Sequence, residues 1–176
     1  MILAQVGGLF GAQVFTSTPS LDAQETPPSS VPSAFSKLEG AWEGSGVLLD
    51  RPAEFQMRWE VMGSGFVRLT FSNAWVKEGG SLTPVLSSQA VYYLDGSSAI
   101  GVWLDDRPQR LTLEASVTDS SVVTHWTAAT EEGRTEYLIR SPEVVVVRDF
   151  VGVNGAERLF AEATFRRRDS EAPAGR

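Results

Sequence analysis

The sequence predicts an all-β protein: a single antiparallel up-and-down β-barrel of about ten strands, preceded by a short N-terminal helix. Apolar and polar residues alternate with a period of two from Lys37 onward, which is the pattern of strands with one buried face. Turn signals such as Asp95-Gly96, Glu132-Gly133 and Asn154-Gly155 interrupt the alternation at short intervals. No window has the period of a long amphipathic helix. Together these observations favour a meander of hairpins.

The folded part begins with a helix candidate at 34–38, and the clearest strand follows soon after it. In the segment AEFQMRWEV, Phe55, Met57 and Trp59 alternate with charged and polar residues, so we expect one face of this strand to be buried. The next strand, FVRLTFS, returns across the glycine-containing turn MGSG. The same pattern predicts ten strands, at about 41–49, 53–61, 66–73, 88–94, 99–105, 110–118, 121–129, 135–141, 143–151 and 157–167.

The segment 74–87 is the one long connection in this pattern. We expect it to be either a lid over one end of the barrel, with Trp75 and Val76 as its apolar face, or an ordinary flexible hairpin loop. Nearly every other connection is hairpin-short, which favours a barrel over a β-sandwich with Greek-key crossings. Closure of the sheet into a barrel also removes its exposed edges.

The chain divides into three parts. Residues 1–33 begin with an apolar, uncharged run and continue as a Ser-, Thr- and Pro-rich stretch, so we expect a signal peptide and a disordered linker. This predicts export to the periplasm or the cell exterior, and the alternative is a cytoplasmic protein with a disordered tail. The apolar run is shorter than the roughly 20 residues that a spanning helix needs. The barrel is expected over 34–168, and a flexible tail over 169–176.

Composition argues against several kinds of function. The 176-residue chain has 22 acidic and 15 basic residues and a net charge of −7, which argues against a nucleic-acid partner. It contains no cysteine, which removes disulfides and cysteine-ligated zinc. Its single histidine, His125, is expected on the outer face of its strand, and Asp105 and Asp106 are expected to be solvated turn acids. We therefore predict no catalytic site and no metal site.

The segment that opens the barrel reads Gly40-x-Trp42-x-Gly44-x-Gly46. Glycines there permit a bend and a close backbone approach, and a large flat side chain between them can close one end of a barrel. The Gly-x-Trp pattern resembles the signature of the lipocalins and fatty-acid-binding proteins, the calycins. The longer pattern resembles nitrobindin and its bacterial relatives over roughly residues 35–168. The resemblance implies that an arginine of the last strand, Arg166 or Arg167, packs over the tryptophan ring.

The resemblance to nitrobindin also raises the question of haem. Proteins of that kind hold the haem iron with a histidine on the last strand, but here Leu159 or Phe160 stands at the expected place. Haem iron needs an axial donor such as histidine, cysteine, methionine or tyrosine, and no tyrosine is singled out by the sequence. We therefore predict no cofactor, and we keep a haem-binding protein as a second alternative function.

The inside of the barrel is the remaining candidate for a site. A small barrel either fills its interior with side chains or leaves room for one small ligand. We predict a non-enzymatic protein that binds or carries a small apolar or amphipathic molecule, and the alternative is a filled barrel that serves as a structural or protein-interaction module. Large side chains of the second strand are expected to form the walls of the pocket, and small side chains of the last strand are expected to leave space in it. The candidate ligand-binding residues are Phe55, Met57, Trp59, Leu69, Phe71, Trp103, Trp126, Tyr137, Ala161 and Ala163.

Overall fold

A computed structural model describes residues 31–63, 65–107, 110–153 and 156–168, and all structural statements below concern these residues. The predicted signal peptide and linker lie outside them except for residues 31–33, and the predicted tail 169–176 lies outside them entirely. The elements are α1 (Ser33–Leu38), β1 (Gly40–Leu48), β2 (Arg51–Met62), β3 (Phe66–Val76), β4 (Leu82–Asp95), β5 (Ser98–Asp105), β6 (Arg110–Val117), β7 (Ser121–Thr127), β8 (Glu132–Ser141), β9 (Val144–Val153) and β10 (Ala156–Arg167).

The ten strands form one closed antiparallel barrel. Each strand pairs with its neighbour in the chain, and β1 closes the sheet by pairing with β10. This confirms the predicted up-and-down barrel with one short N-terminal helix. Within the described residues, no helix has the length and the apolar character needed to cross a membrane.

The predicted long connection at 74–87 is wrong. Strand β3 continues to Val76 and β4 begins at Leu82, so only residues 77–81 join them. The extension of both strands was not predicted, because Pro84 and the pair Gly79-Gly80 suggested a loop. Pro84 pairs with Ala74 directly beside a register shift between β3 and β4, an irregularity at which a strand can accommodate a proline. The segment 74–87 therefore does not form the expected lid. Trp75 lies within β3, and its indole donates a hydrogen bond to the carbonyl of Leu48 at 3.3 Å.

The turn predicted at Glu132-Gly133 is also wrong, because β8 begins at Glu132. A Cβ atom at position 133 would lie 2.1 Å from the carbonyl oxygen of Phe150 and 2.2 Å from the ring of Trp126. Glycine at this position therefore allows two strands and a tryptophan to approach closely within the sheet, and it does not mark a turn.

Helix α1 closes one end of the barrel. Its residues Ala34, Phe35 and Leu38 have no solvent exposure. The ring of Phe35 lies 5.7 Å from the ring of Trp59 on β2 and 5.7 Å from that of Tyr92 on β4. These contacts place a compact aromatic cluster between the helix and the middle of the barrel.

Trp42 lies at the same closed end and is almost completely buried. Its indole N–H donates to the carbonyl oxygen of Leu38 at 2.7 Å, and the guanidinium carbon of Arg167 lies 4.1 Å from its ring centroid. Arg167 also donates to the carbonyl of Lys37 at 2.6 Å, so it ties the last strand to the helix. Arg166, the other candidate, is exposed on the outer face.

The glycines of the opening segment lie against the last strand. Gly40 has a φ of +119° and lies beneath the guanidinium of Arg167, which a Cβ atom at position 40 would approach to 2.7 Å. A Cβ atom at position 44 would meet the ring of Phe165 at 2.8 Å. At position 46 it would meet the backbone of β10, 2.0 Å from the carbonyl oxygen of Glu162. The opening segment thus allows β1 to lie close against β10 where the barrel closes.

Candidate ligand-binding cavity

A cavity of about 390 Å³ lies in the barrel at the end away from α1. Tyr92 and Tyr137 form its floor, and beneath them Trp59 contacts Tyr137 edge-on with the ring centroids 5.1 Å apart. Its walls and rim come from the far ends of the strands, for example Leu48 on β1 and Trp103 on β5. The barrel is therefore filled on the helix side and open on the other side.

The ten predicted ligand-binding residues divide between these two halves. All ten face the interior, as strand alternation requires. Five of them line the cavity: Phe71, Trp103, Trp126, Tyr137 and Ala161. The other five do not line it and are buried in the packed core: Phe55, Met57, Trp59, Leu69 and Ala163.

The expectation that β2 supplies walls to the cavity does not hold, because the β2 side of the barrel is filled by aromatic packing. The ring of Phe55 lies 6.3 Å from that of Phe71 and 6.0 Å from that of Phe165. Of this cluster, only Phe71 reaches the cavity. The last strand does supply a gap, since the small residue Ala161 lines the cavity.

Several polar and charged residues of the lining were not predicted from the sequence. They are Asn73, Thr124, Thr135 and Asp149 in the walls and Arg107, Glu131 and Arg158 at the mouth. A signal for Asp149 existed. In the segment VVVVRDFV, strand alternation puts Asp149 on the same face as Val145, Val147 and Val151. An acidic residue on an otherwise apolar, inward-facing row is a candidate for a functional site.

Among the described residues, Asp149 is the one carboxyl group that projects into the cavity from the middle of a strand. It is partly buried, and because it faces inward, the surface that it exposes opens on the cavity. Its Oδ1 accepts a hydrogen bond from the hydroxyl of Thr135 at 2.6 Å. Burial raises the pKa of Asp149 to about 6, against the opposing effect of that hydrogen bond.

The two floor tyrosines are neutral at physiological pH. Burial raises the pKa of Tyr92 to about 12, although a hydrogen bond between its hydroxyl and that of Thr124, at 3.3 Å, acts in the opposite direction. Burial raises the pKa of Tyr137 well above its ordinary value, and the charges of Tyr92 and Asp149 act in the same direction. The floor of the cavity therefore offers hydroxyl groups and no phenolate.

Asn73 brings a second polar group to the cavity wall. Only 8% of its surface is exposed, and its Oδ1 has no hydrogen-bond partner among the described residues. A buried amide oxygen without a donor costs free energy, roughly 1–3 kcal/mol. This oxygen is enclosed in the wall and has almost no accessible surface, so it is not presented to the interior of the cavity.

An ion pair between Asp105 and Arg107 lies at the mouth of the cavity. The side chain of Asp105 has no solvent exposure and accepts hydrogen bonds from Arg107 at 2.7 Å and from the indole of Trp103 at 3.0 Å. Burial opposes ionisation of Asp105, but these hydrogen bonds outweigh it and lower its pKa. The expectation that Asp105 is a solvated turn acid is therefore wrong. Arg107 also approaches Glu131 to 3.6 Å, so its charge is engaged at the rim.

The lining does not fit a haem iron. No histidine lines the cavity, and His125 is exposed on the outer face of β7. Tyr92 and Tyr137 are the described lining residues with an oxygen donor of the kind that haem iron takes, and burial disfavours the phenolate form of both. No group of three or more metal-ligating side chains is found within the described ranges.

The raised pKa of Asp149 predicts how stability depends on pH. Its folded-state pKa, about 6, lies above its ordinary value of 3.8, so the folded protein binds more protons than the unfolded chain between these two values. The contribution of this group to the free energy of unfolding therefore falls as the pH rises from about 4 to about 6. At about 1.4 kcal/mol per pKa unit, the loss is on the order of 2–3 kcal/mol.

We expect Asp149→Asn to be more stable than the parent protein by about 2 kcal/mol at pH 7.5 and nearly equal to it at pH 4. Urea unfolding at both pH values, followed by circular dichroism, measures the difference. Other carboxyl groups, such as Glu60 with its lowered pKa beside Arg68, titrate in both proteins and cancel. A variant that is less stable than the parent at pH 7.5 would contradict the buried-carboxyl assignment.

Comparison with known proteins identifies the fold but does not identify a family. No protein-family model matches the sequence, and no curated protein is similar to it. The solved structure of Rv2717c from M. tuberculosis is 15% identical, covers 80% of this chain and 99% of its own, and superposes with a TM-score of 0.64. At this identity the likeness shows that the two chains share a barrel fold.

Two engineered proteins are similar with lower scores. A redesigned β-barrel is 13% identical, with 80% of this chain and 100% of its own covered, at a TM-score of 0.47. The barrel EF1p2_mFAP2b, whose structure was solved with bound DFHBI, is 12% identical, with 77% and 98% covered, at a TM-score of 0.43.

Proposed function

We propose that this chain is a non-enzymatic binding protein that holds one small apolar or amphipathic molecule in the open half of its barrel. The observation that carries the proposal is the cavity of about 390 Å³. Small-molecule sites are clefts or cavities of roughly 300–1,000 Å³, lined mainly by apolar and aromatic side chains with a few polar groups. The lining fits this description, with Phe71, Trp103 and Trp126 beside Thr124 and Asp149.

The filled-barrel alternative accounts for only the helix side of the molecule. There Phe35, Trp59 and Tyr92 pack against one another without a gap for a ligand. On the other side Trp103 and Trp126 remain partly exposed to the cavity. Large aromatic side chains that border empty space are typical of a binding site, whereas a structural barrel would pack them.

We also propose that the chain is a calycin-like barrel. Support comes from the closed end, where Trp42 of the Gly-x-Trp segment packs under Arg167 of the last strand at 4.1 Å. The short helix that precedes β1 and seals this end supports the same proposal. The lining speaks against a nitrobindin-type haem site, because no histidine faces the cavity.

Binding of the neutral, environment-sensitive dye Nile red tests the proposed function. We expect fluorescence enhancement with the parent protein, because the dye leaves water for an apolar cavity. In Ala161→Trp, a bulky side chain enters the cavity from β10, and we expect at least tenfold weaker binding. The matched control is Thr164→Trp, which adds the same side chain on the exposed face of the same strand and is expected to bind like the parent.

Circular dichroism and a melting curve establish that each variant is folded. Should Ala161→Trp unfold, Leu86→Trp at the partly exposed rim narrows the same cavity with less disturbance of the core. Equal dye binding by the parent, the cavity variants and the control would place the dye on the outer surface and refute the proposal. Absence of dye binding by the parent would refute it as well.

A further inference from the structure

We propose that the ligand of this cavity carries a protonated amine, and that the carboxylate of Asp149 binds the ammonium group while the apolar lining holds its hydrocarbon part. This inference rests on the proposed function above and specifies its ligand class. It follows from the polar groups of the cavity: the carboxylate of Asp149 faces inward, and a single neutral hydroxyl among the described residues donates a hydrogen bond to it.

The inward-facing acceptor is the carboxylate of Asp149. It projects from β9 between Thr135 on β8 and Ala161 on β10, its two partners in the sheet. Thr135 is the one described residue that donates a hydrogen bond to its carboxylate, at 2.6 Å to Oδ1. A buried charge is tolerated when it is paired and its oxygens are satisfied, so a carboxylate with one neutral donor is incomplete.

No described basic residue pairs with Asp149. Its neighbour in the chain, Arg148, points outward and binds Glu162 at 2.6 Å. Arg134 on the adjacent strand β8 binds Glu157 at 2.8 Å. At the mouth, Arg107 binds Asp105 at 2.7 Å. None of these three arginines therefore serves as a counter-charge for Asp149.

Arg158 is the remaining basic side chain of the lining. It pairs with Val151 in the sheet, two residues along β9 from Asp149, and its side chain is exposed at the mouth. Replacement of Arg158 therefore tests whether this exposed guanidinium serves as a counter-ion for the carboxylate. The other titratable groups that face the cavity are the two floor tyrosines and Glu131, none of which is cationic.

The chemistry of the possible head groups favours an amine. An ammonium group has three donors and a positive charge, so it supplies both hydrogen bonds and a counter-charge to the carboxylate. A carboxylate or phosphate head group would meet the charge of Asp149 with repulsion. A neutral hydroxyl would donate one hydrogen bond but leave the buried charge without a counter-charge.

Three ligands with one chain and different head groups test the inference: octylamine, octanol and octanoate. Isothermal titration calorimetry at pH 7.5 measures their affinities, and Nile red displacement locates them in the cavity. We expect octylamine to bind at least tenfold more tightly than octanol, and octanoate to bind most weakly. In Asp149→Asn, octylamine should fall to the affinity of octanol, while octanol and Nile red stay within about twofold of the parent values.

The matched control is Glu114→Gln, which removes one negative charge from the exposed outer face and is expected to keep the preference for octylamine. Arg158→Gln is expected to keep or raise the octylamine affinity, since a cation at the mouth repels another. A loss of octylamine binding in that variant overturns the inference, as does equal binding of octylamine and octanol by the parent. In those cases Nile red still binds, so the proposed function stands. Failure of Nile red to bind the parent overturns both.

Discussion

Trp42→Ala is expected to lower the free energy of unfolding by about 3–5 kcal/mol, as truncation of a large buried aromatic side chain does. The indole is 1% exposed, and its loss would leave a cavity between α1 and the barrel. The substitution also removes the hydrogen bond to the carbonyl of Leu38 and the stacking of Arg167 on the ring. Urea unfolding followed by far-ultraviolet circular dichroism measures the loss without relying on tryptophan fluorescence.

The control is Trp126→Ala, which removes the same side chain from the open half of the barrel. Trp126 already borders the cavity and is partly exposed, so its truncation enlarges an existing space. We expect a loss of about 1–2 kcal/mol there, because less surface is transferred to water. Equal losses for the two variants would mean that the helix end of the barrel is not the better-packed end.

Gly46→Ala is expected to destabilise the fold by about 3 kcal/mol, although it adds a single methyl group. A Cβ atom at this position would lie 2.0 Å from the carbonyl oxygen of Glu162 and 2.7 Å from the Cα atom of Ala163. Both are backbone atoms of β10, so no side chain can rotate away and the strands themselves must separate. The variant therefore disrupts the pairing of β1 with β10, which closes the barrel.

Gly65→Ala is the matched control, since its Cβ atom would find its nearest neighbour, the ring of Tyr93, at an ordinary 3.7 Å. We expect its stability to lie within about 0.5 kcal/mol of the parent value. A glycine-to-alanine change at an unstrained site even gains roughly 0.4–1 kcal/mol by restricting the unfolded chain. Similar stabilities for the two variants, in the same urea titration, would show that β1 and β10 are less closely packed than described.

The alternation of side chains was enough to predict the barrel and its interior face. Phe55 and Trp103 both face inward as predicted, because the direction of a strand side chain depends only on its position in the pleat. The alternation does not give depth along the barrel axis. Depth depends on the tilt and stagger of the strands, which is why Trp59 lies in the packed half and Trp126 lines the cavity.

Two local signals misled the sequence analysis for physical reasons. Gly79, Gly80 and Pro84 suggested a long loop, yet the proline is accommodated within β4 beside an irregularity of pairing. Gly133 suggested a turn but instead gives space to Trp126, which no short-range pattern reveals. Asp149, by contrast, could have been identified, since alternation alone places it inside. The sequence could not show whether a cationic side chain pairs with Asp149, because that depends on the arrangement of the whole cavity.

Both ends of the described chain lie at the sealed end of the barrel. Helix α1 is fastened there through Ser33 and Lys37, which donate to the side chain and the carbonyl of Asp119 at 2.7 and 2.6 Å. The backbone N–H of Arg168 donates to the carbonyl of Ala41 at 2.9 Å, on the same side. A tether joined beyond either end would therefore hold the molecule by its base, with the mouth of the cavity turned to the surrounding solution. In a sensor immobilised on a surface, attachment at residue 31 or residue 168 would leave the mouth of the cavity facing away from that surface.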